Sequence, residues 1–421
     1  MTATTVNNIT LSKSLQNYIL VTAAYWGLTI TDGALRMLVL LYFDQLGYTP
    51  IQIAFLFLFY EIFGVITNFL GGWIGSELGL KLTLYGGIGL QVFALAMTSL
   101  VTPAWPHLLQ VVYVMTAQAL SGIAKDLTKM SSKSAIKLLI PQEQQSTLFQ
   151  WVSILTGSKN ALKGLGFFVG SVLLAWLGFI NALIAMAGWL FLIMLTGFFL
   201  PRRMGKFESK IKLTQLFSDS QEINILSAAR FFLFGARDVW FVVGLPVFLY
   251  STLGWRFEQV GGFLASWVIG YGIIQSQAPN LLSLLGSNQP PQSKTIQIWT
   301  FSLAGIPAAI ALALQLGAPP ATVIIIGLTI FGIVFAFNSA IHSYMVLAFS
   351  ENEKVVRNVG FYYMANSGGR LAGTVLSGLI FQLFGLPGCL WVATIFVIAA
   401  AIISIWIPDP KRVVAWKAGE E

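Results

Sequence analysis

Apolar residues in this chain gather in long blocks instead of alternating with polar ones. The blocks fall near 18–43, 50–71, 82–102, 108–136, 147–176 and 179–200, and again near 223–250, 257–284, 296–316, 320–349, 357–384 and 387–407. Each approaches the ~20 residues that carry an α-helix across a hydrocarbon core. A backbone in lipid must satisfy its own hydrogen bonds, which a helix does within one segment. The pattern therefore predicts twelve transmembrane helices. Composition agrees: of 421 residues, 56% are hydrophobic and 10% charged, whereas a soluble domain carries roughly a quarter charged residues.

Charge in the loops sets the expected topology. Lys13, Lys81, Arg202, Arg203, Lys206, Lys210, Lys212, Lys294, Lys354, Lys411, Arg412 and Lys417 fall on one side, and the opposite loops offer only Arg256. By the positive-inside rule both termini are expected in the cytoplasm, in an inner (plasma) membrane. The polar first sixteen residues lead into a long apolar run without a cleavage signal, which reads as a retained first helix. The net charge of +8 thus belongs to loops and spans, and no nucleic-acid partner is expected. One cysteine, Cys389, and two distant histidines, His107 and His342, supply no metal-ligand set, so no metal or cofactor is expected.

The chain repeats. Leu46-Gly47-Tyr48 with Gln52-Ile53 matches Leu253-Gly254-Trp255 with Gln259-Val260, an offset of 207 residues that also pairs Lys163 with Arg370, Gly166 with Gly373 and Gly178 with Gly385. The expected organisation is a six-helix half over 1–200, a basic connector over 201–222, a second half over 223–408 and a tail over 409–421. Parallel six-span halves predict the all-α major facilitator fold, with substrate held at mid-membrane. Gly72 to Lys81 resembles that fold's loop signature but departs from it at Ser76 and Glu77.

Charges within the spans carry the functional reading, since each is costly there without a partner or water. Asp32, Glu61, Lys159, Arg237, Asp238 and Arg370 are expected near the midplane, with Arg36 and Lys163 about a turn further out. Lys125, Lys129 and Lys133 recur every four residues, as do Lys159 and Lys163, so each set shares a helix face. Seven buried cations (Arg36, Lys125, Lys129, Lys159, Lys163, Arg237, Arg370) face four acids (Asp32, Glu61, Asp126, Asp238). That surplus predicts a cavity for a small, multiply charged organic anion, with Arg370 approaching from the second half. Lys125, Lys129, Lys159, Lys163, Arg237, Arg370 and Asn366 are the candidate substrate contacts.

Asp32 and Glu61 are the candidate proton carriers, Glu61 preferred because its own span holds no basic neighbour. Arg36, Asp126 and Asp238 are the candidate structural ion-pair members. Asp32 and Arg36, four apart, either pair locally or look elsewhere. Lys125 with Asp126, and Arg237 with Asp238, are adjacent and are expected to find partners on other helices. Arg230 reads as an interfacial anchor, Lys133 and Lys137 as snorkelling cations, and His342 as a helix–helix contact. Asn160, Asn338, Ser339, Tyr344, Tyr362 and Tyr363 are further polar residues of the same region. Ser134 to Lys137 and Gly157-Ser158-Lys159 mimic a hydrolase motif and a phosphate loop but lack the companion motifs or strand context; no enzyme is expected.

Three segments resemble the organoarsenical efflux transporters of the ArsJ family: Thr31-Asp32-Gly33-Ala34-Leu35-Arg36-Met37-Leu38, Ser121 to Lys133, and Phe234-Gly235-Ala236-Arg237-Asp238-Val239-Trp240. The resemblance runs across nearly the whole chain. It implies export of 1-arseno-3-phosphoglycerate, a functional link to the glyceraldehyde-3-phosphate dehydrogenase that makes it, and arsenate resistance. Its binding residues are not implied; those named above rest on charge. The rival readings are a carrier of another phosphorylated organic anion, of sugar-phosphate or glycerol-phosphate type, and an anion-sensing transceptor. A monomer in the bilayer is expected.

Overall fold

A computed structural model describes residues 3–78, 80–139, 145–199, 220–284, 291–349 and 355–409. Most of the connector, the tail beyond 409, and the side chains of Gly72 to Leu80, Lys133, Lys137 and Tyr344 lie outside the described residues, so the expectations placed on them stand as stated. Within the described residues the apolar blocks form helices: α1 Ala3–Gln45, α2 Pro50–Leu56, α3 Leu58–Leu78, α4 Leu80–Ser99, α5 His107–Leu139 and α6 Gln145–Leu195. The second series is α7 Gln221–Phe241, α8 Gly244–Val247, α9 Phe257–Leu284, α10 Ser293–Gln315, α11 Pro320–Ala348 and α12 Val355–Ser404.

Nine apolar segments among the described residues are long enough to cross a membrane. Two of them, Ser158–Phe198 and Phe361–Ser404, run 41 and 44 residues, about twice what a bilayer core accommodates. Each is broken by a glycine in the left-handed region, Gly178 at φ 72° and Gly385 at φ 64°, a conformation open to glycine at little steric cost. The chain is a multi-pass membrane protein, and these breaks agree with the twelve-span reading.

The repeat is visible in local geometry. Gly178 and Gly385 stand 207 residues apart, and so do the left-handed turn residues Gly47 and Gly254. Beyond each turn glycine a glutamine caps the next helix: the backbone N–H of Thr49 donates to Gln52 Oε1 at 2.9 Å, and that of Arg256 to Gln259 Oε1 at 2.9 Å. This is the reciprocal arm of a capping box, and it explains why the glutamines recur.

The offset is not constant. A Cβ on Gly166 would meet Ile30 O, Gly33 and Ala34 N, and one on Gly373 would meet Gly235 O, Asp238 and Val239 N. Those partners are 205 residues apart, so the second half carries two extra residues before its turn glycine. They are taken up where α7 ends at Phe241 and the chain continues through the short α8 and a π-turn at Phe248–Thr252. The span predicted over 223–250 is met by one apolar segment, Gln221–Thr252, which holds this break within it. Ser377 Oγ accepts the backbone N–H groups of Val243 at 3.2 Å and Gly244 at 3.0 Å, satisfying amides freed by the break.

The described chain groups into two compact units. The first is Met1–Tyr48, Phe55–Leu213 and Leu249–Ile269; the second is Thr49–Ala54, Thr214–Phe248 and Gly270–Glu421.

Candidate functional site

In the first unit, one face of α3 organises the charges. Gly122 of α5 packs so closely on Tyr60 that a Cβ there would meet Tyr60 O at 2.5 Å. One turn on, Gly64 leaves space for its neighbours: a Cβ would lie 3.2 Å from Asp126 Oδ2 and 3.7 Å from Lys125 Nζ. Asp126, 1% exposed at its side chain, receives Lys129 at 2.8 Å and Lys125 at 3.4 Å. Lys129 also donates to Asn68 Oδ1 at 2.8 Å. Lys159 of α6 is within electrostatic reach of the same carboxylate. Three predicted cations thus gather about one acid. Lys163 lies one turn along α6, its ammonium 5.6 Å from the Phe167 ring.

The predicted acids of this unit divide. Arg36 reaches across to Glu61 at 3.1 Å, both side chains nearly buried, and its guanidinium lies over the Phe57 and Tyr60 rings at 5.1 and 5.4 Å. The open question of an Asp32–Arg36 pair is settled in favour of Glu61. Asp32 instead accepts the Tyr60 hydroxyl at 2.8 and 2.9 Å, and among the described residues no cation forms an ion pair with it. Breaking a buried pair strands a charge at a cost of about 3–5 kcal/mol, while exchanging both partners for apolar residues is often neutral. Glu61→Ala should therefore lower the melting temperature sharply, and Arg36→Met with Glu61→Leu should recover most of it, as read by thermal unfolding in detergent.

In the second unit Asp238 is the fork. It is 1% exposed and takes Arg237 on Oδ1 at 2.5 Å and Arg370 on Oδ2 at 3.1 Å. The adjacent pairs Lys125–Asp126 and Arg237–Asp238 both close, correcting the expectation that neighbours would pair only with other helices. The Cβ directions do diverge, but long lysine and arginine side chains fold back when burial makes an unpaired charge expensive. Arg370, on α12, finds its acid on α7.

Arg230 was misjudged. It is 4% exposed, with its guanidinium 3.7 Å from the Phe234 ring centroid and 5.1 Å from that of Tyr362. Its Nε donates to Asn366 Oδ1 at 2.9 Å and its Nη1 to Ser339 O at 3.4 Å. Arg237 lies over the same Phe234 ring at 4.9 Å, so one aromatic carries two guanidiniums. The spacing of Arg230, Phe234 and Arg237, four and then three, places them on one face, and that spacing was legible in the sequence. Asn366 is tied to Arg230, and His342 is fully buried.

No protein-family model matches the chain by sequence, and no curated protein matches it. By structure it is similar to a mutant of the nucleoside transporter NupG, at 16% identity and a TM-score of 0.70 over 94% of this chain and 98% of that one. It is similar to a D-xylose-proton symporter, at 14% identity and 0.68 over 96% and 98%. It also resembles the xylose transporter XylE from E. coli in an inward-open conformation, at 15% identity and 0.68 over 95% and 98%. Agreement over nearly the full length of each chain decides the architecture. The chain has the major facilitator fold.

Within the facilitator fold, charge clusters distinguish this chain from a purely apolar bundle. Among the described residues of the first unit's cluster, five cations (Arg36, Lys125, Lys129, Lys159, Lys163) accompany three carboxylates (Asp32, Glu61, Asp126). In the second unit's cluster Arg230, Arg237 and Arg370 accompany one described carboxylate, that of Asp238.

Proposed function

We propose that this protein is an inner-membrane transporter with both termini in the cytoplasm, which exports a small, multiply charged organic anion by alternating access. The observation that carries the reading is the gathering of Lys125, Lys129 and Lys159 about the carboxylate of Asp126. Among the described residues of this cluster five cations accompany three carboxylates, a surplus that a doubly charged anion complements. Arginine suits bidentate contact with phosphate or carboxylate, and lysine acts as a mobile point charge. The comparison structures are by their names of transporters of a nucleoside and of xylose, and the anionic substrate proposed for this chain rests on its own basic clusters.

The substrate we propose is 1-arseno-3-phosphoglycerate, supported by the three segments that resemble the ArsJ family and by their overlap with the clusters: the first holds Asp32 and Arg36, the second Lys125 and Lys129, the third Arg237 and Asp238. The dehydrogenase that forms this ester is then its functional partner. Lys125, Lys129, Lys159, Lys163, Arg237, Arg370 and Asn366 are proposed to serve the anion. For proton coupling, the geometry favours Asp32 over Glu61. Glu61 already neutralises Arg36, whereas Asp32 is held by a neutral hydroxyl and can take and give a proton without breaking an ion pair.

Everted membrane vesicles test this. With arsenate, glyceraldehyde 3-phosphate, NAD and the dehydrogenase supplied, arsenic should accumulate only when all four are present. Accumulation with arsenate alone would show an oxyanion carrier instead. Its absence in folded protein would reject the organoarsenical as substrate.

A further inference from the structure

Arg230 is the one buried cation for which the described residues of the second unit provide no carboxylate. Its hydrogen bonds go to two neutral oxygens, Asn366 Oδ1 and Ser339 O, and its flat faces meet two neutral rings, those of Phe234 and Tyr362. Aromatic faces attract a guanidinium but do not neutralise it. By contrast Arg237 and Arg370 share Asp238. A lone charge at this burial is expensive, so something outside the described side chains is expected to complete it.

Polar atoms around Arg230 point the same way. His342 of α11 is fully buried, one turn beyond Ser339, and within reach of the Arg230 charge. Neither of its ring nitrogens has a hydrogen-bond partner among the described residues. The fully buried Tyr362 hydroxyl lies near Ser343, but among the described residues no donor or acceptor meets it in hydrogen-bonding geometry. Buried polar atoms left without partners are uncommon, and each asks for a water or an ion. Here three such atoms from two residues collect beside one uncompensated guanidinium. The neighbouring serine hydroxyls are satisfied: Ser339 Oγ takes Tyr271 at 3.0 Å and Gln275 at 3.1 Å, and Ser343 bonds back to Ser339 O at 2.7 Å.

We infer that Arg230, with Tyr362 and His342, forms an oxyanion-binding subsite that holds one anionic end, phosphate or carboxylate, of the transported molecule. The inference rests on the transporter reading and sharpens it by adding Arg230 to Arg237 and Arg370 as a ligand contact of the second unit. An oxyanion accepts from the remaining guanidinium N–H groups, from the Tyr362 hydroxyl and from a His342 N–H, giving each a partner and the cation its counter-charge. Asn366 positions the guanidinium by its bond to Nε. Lysine could not make the same planar fork.

Asn366→Asp puts a carboxylate where Oδ1 now accepts from Arg230, supplying the missing counter-charge internally. Binding of 3-phosphoglycerate, glycerol 3-phosphate and glycerate to the full-length protein in non-ionic detergent is measured by titration calorimetry. Asn366→Asp should melt no lower than wild type yet bind at least about tenfold more weakly. His342→Phe, which keeps the volume and removes both nitrogens, should weaken binding several-fold. Glycerol 3-phosphate against glycerate tells which end the subsite prefers, since the more affected probe carries the group it holds. If both variants bind as wild type while Lys159→Ala does not, Arg230 is structural and the transporter reading survives. If wild type binds none of the three anions, both ideas fall.

Discussion

Asp32→Asn is expected to abolish proton-driven accumulation while leaving substrate exchange intact. Asparagine matches aspartate in size and still accepts the Tyr60 hydroxyl, which approaches the carboxylate at 2.8 and 2.9 Å. It cannot titrate, and it carries no charge. Exchange of labelled for unlabelled anion across vesicles needs the carrier to turn over only in its loaded form, whereas net accumulation against a gradient needs the coupling proton. A loss of two orders of magnitude or more in accumulation, with exchange within a few-fold of wild type, is the expected pattern. Glu61→Gln should differ from it, because it strands Arg36 and damages folding before it touches coupling. Equal loss of both activities in well-folded Asp32→Asn protein would assign Asp32 to substrate binding. Wild-type accumulation would remove it from coupling altogether.

Much of the architecture was legible because it depends on short-range rules. The glycines predicted at block edges, Gly178 and Gly385, are where the long helices break, since few other residues adopt φ near +70° at little cost. The repeated glutamines 52 and 259 recur because a helix start needs a cap. The break between α7 and α8 was hidden, because two extra residues in an apolar block change neither its hydropathy nor its charge. Comparing close helix contacts exposes them, as the shift from 207 to 205 shows.

The site was legible in its membership and not in its pairing. Sequence spacing reports where a Cβ points, whereas pairing depends on where the last atom of a long side chain can reach. That is why Arg36 turned from Asp32, four residues away, to Glu61 on α3. Arg230 was misplaced for a related reason. Nine residues into α7 it can be counted as either interfacial or buried, and only the packing of Phe234 and Tyr362 around it decides.

The largest structural effect is expected at Asp238. Its two carboxylate oxygens serve different arginines, one on its own helix and one on α12, so Asp238→Asn removes the negative charge that two part-buried guanidiniums share. Removing one member of a buried pair costs about 3–5 kcal/mol, and here repulsion between the survivors adds to it. Destabilisation at or above the top of that range is expected, enough to deplete a protein whose total stability is of order 5–15 kcal/mol. Arg370→Ala is the informative counterpart. It leaves Asp238 paired with Arg237, so the fold should hold while transport is lost. Lys159→Ala should behave likewise, since Asp126 keeps Lys125 and Lys129. Expression and melting temperature, measured beside vesicle transport for all three variants, separate these roles. Asp238→Asn should fail in all of them, and the two cation variants in transport alone. Normal efflux in Arg370→Ala and Lys159→Ala would remove both residues from the substrate path and leave their charges as structural ones.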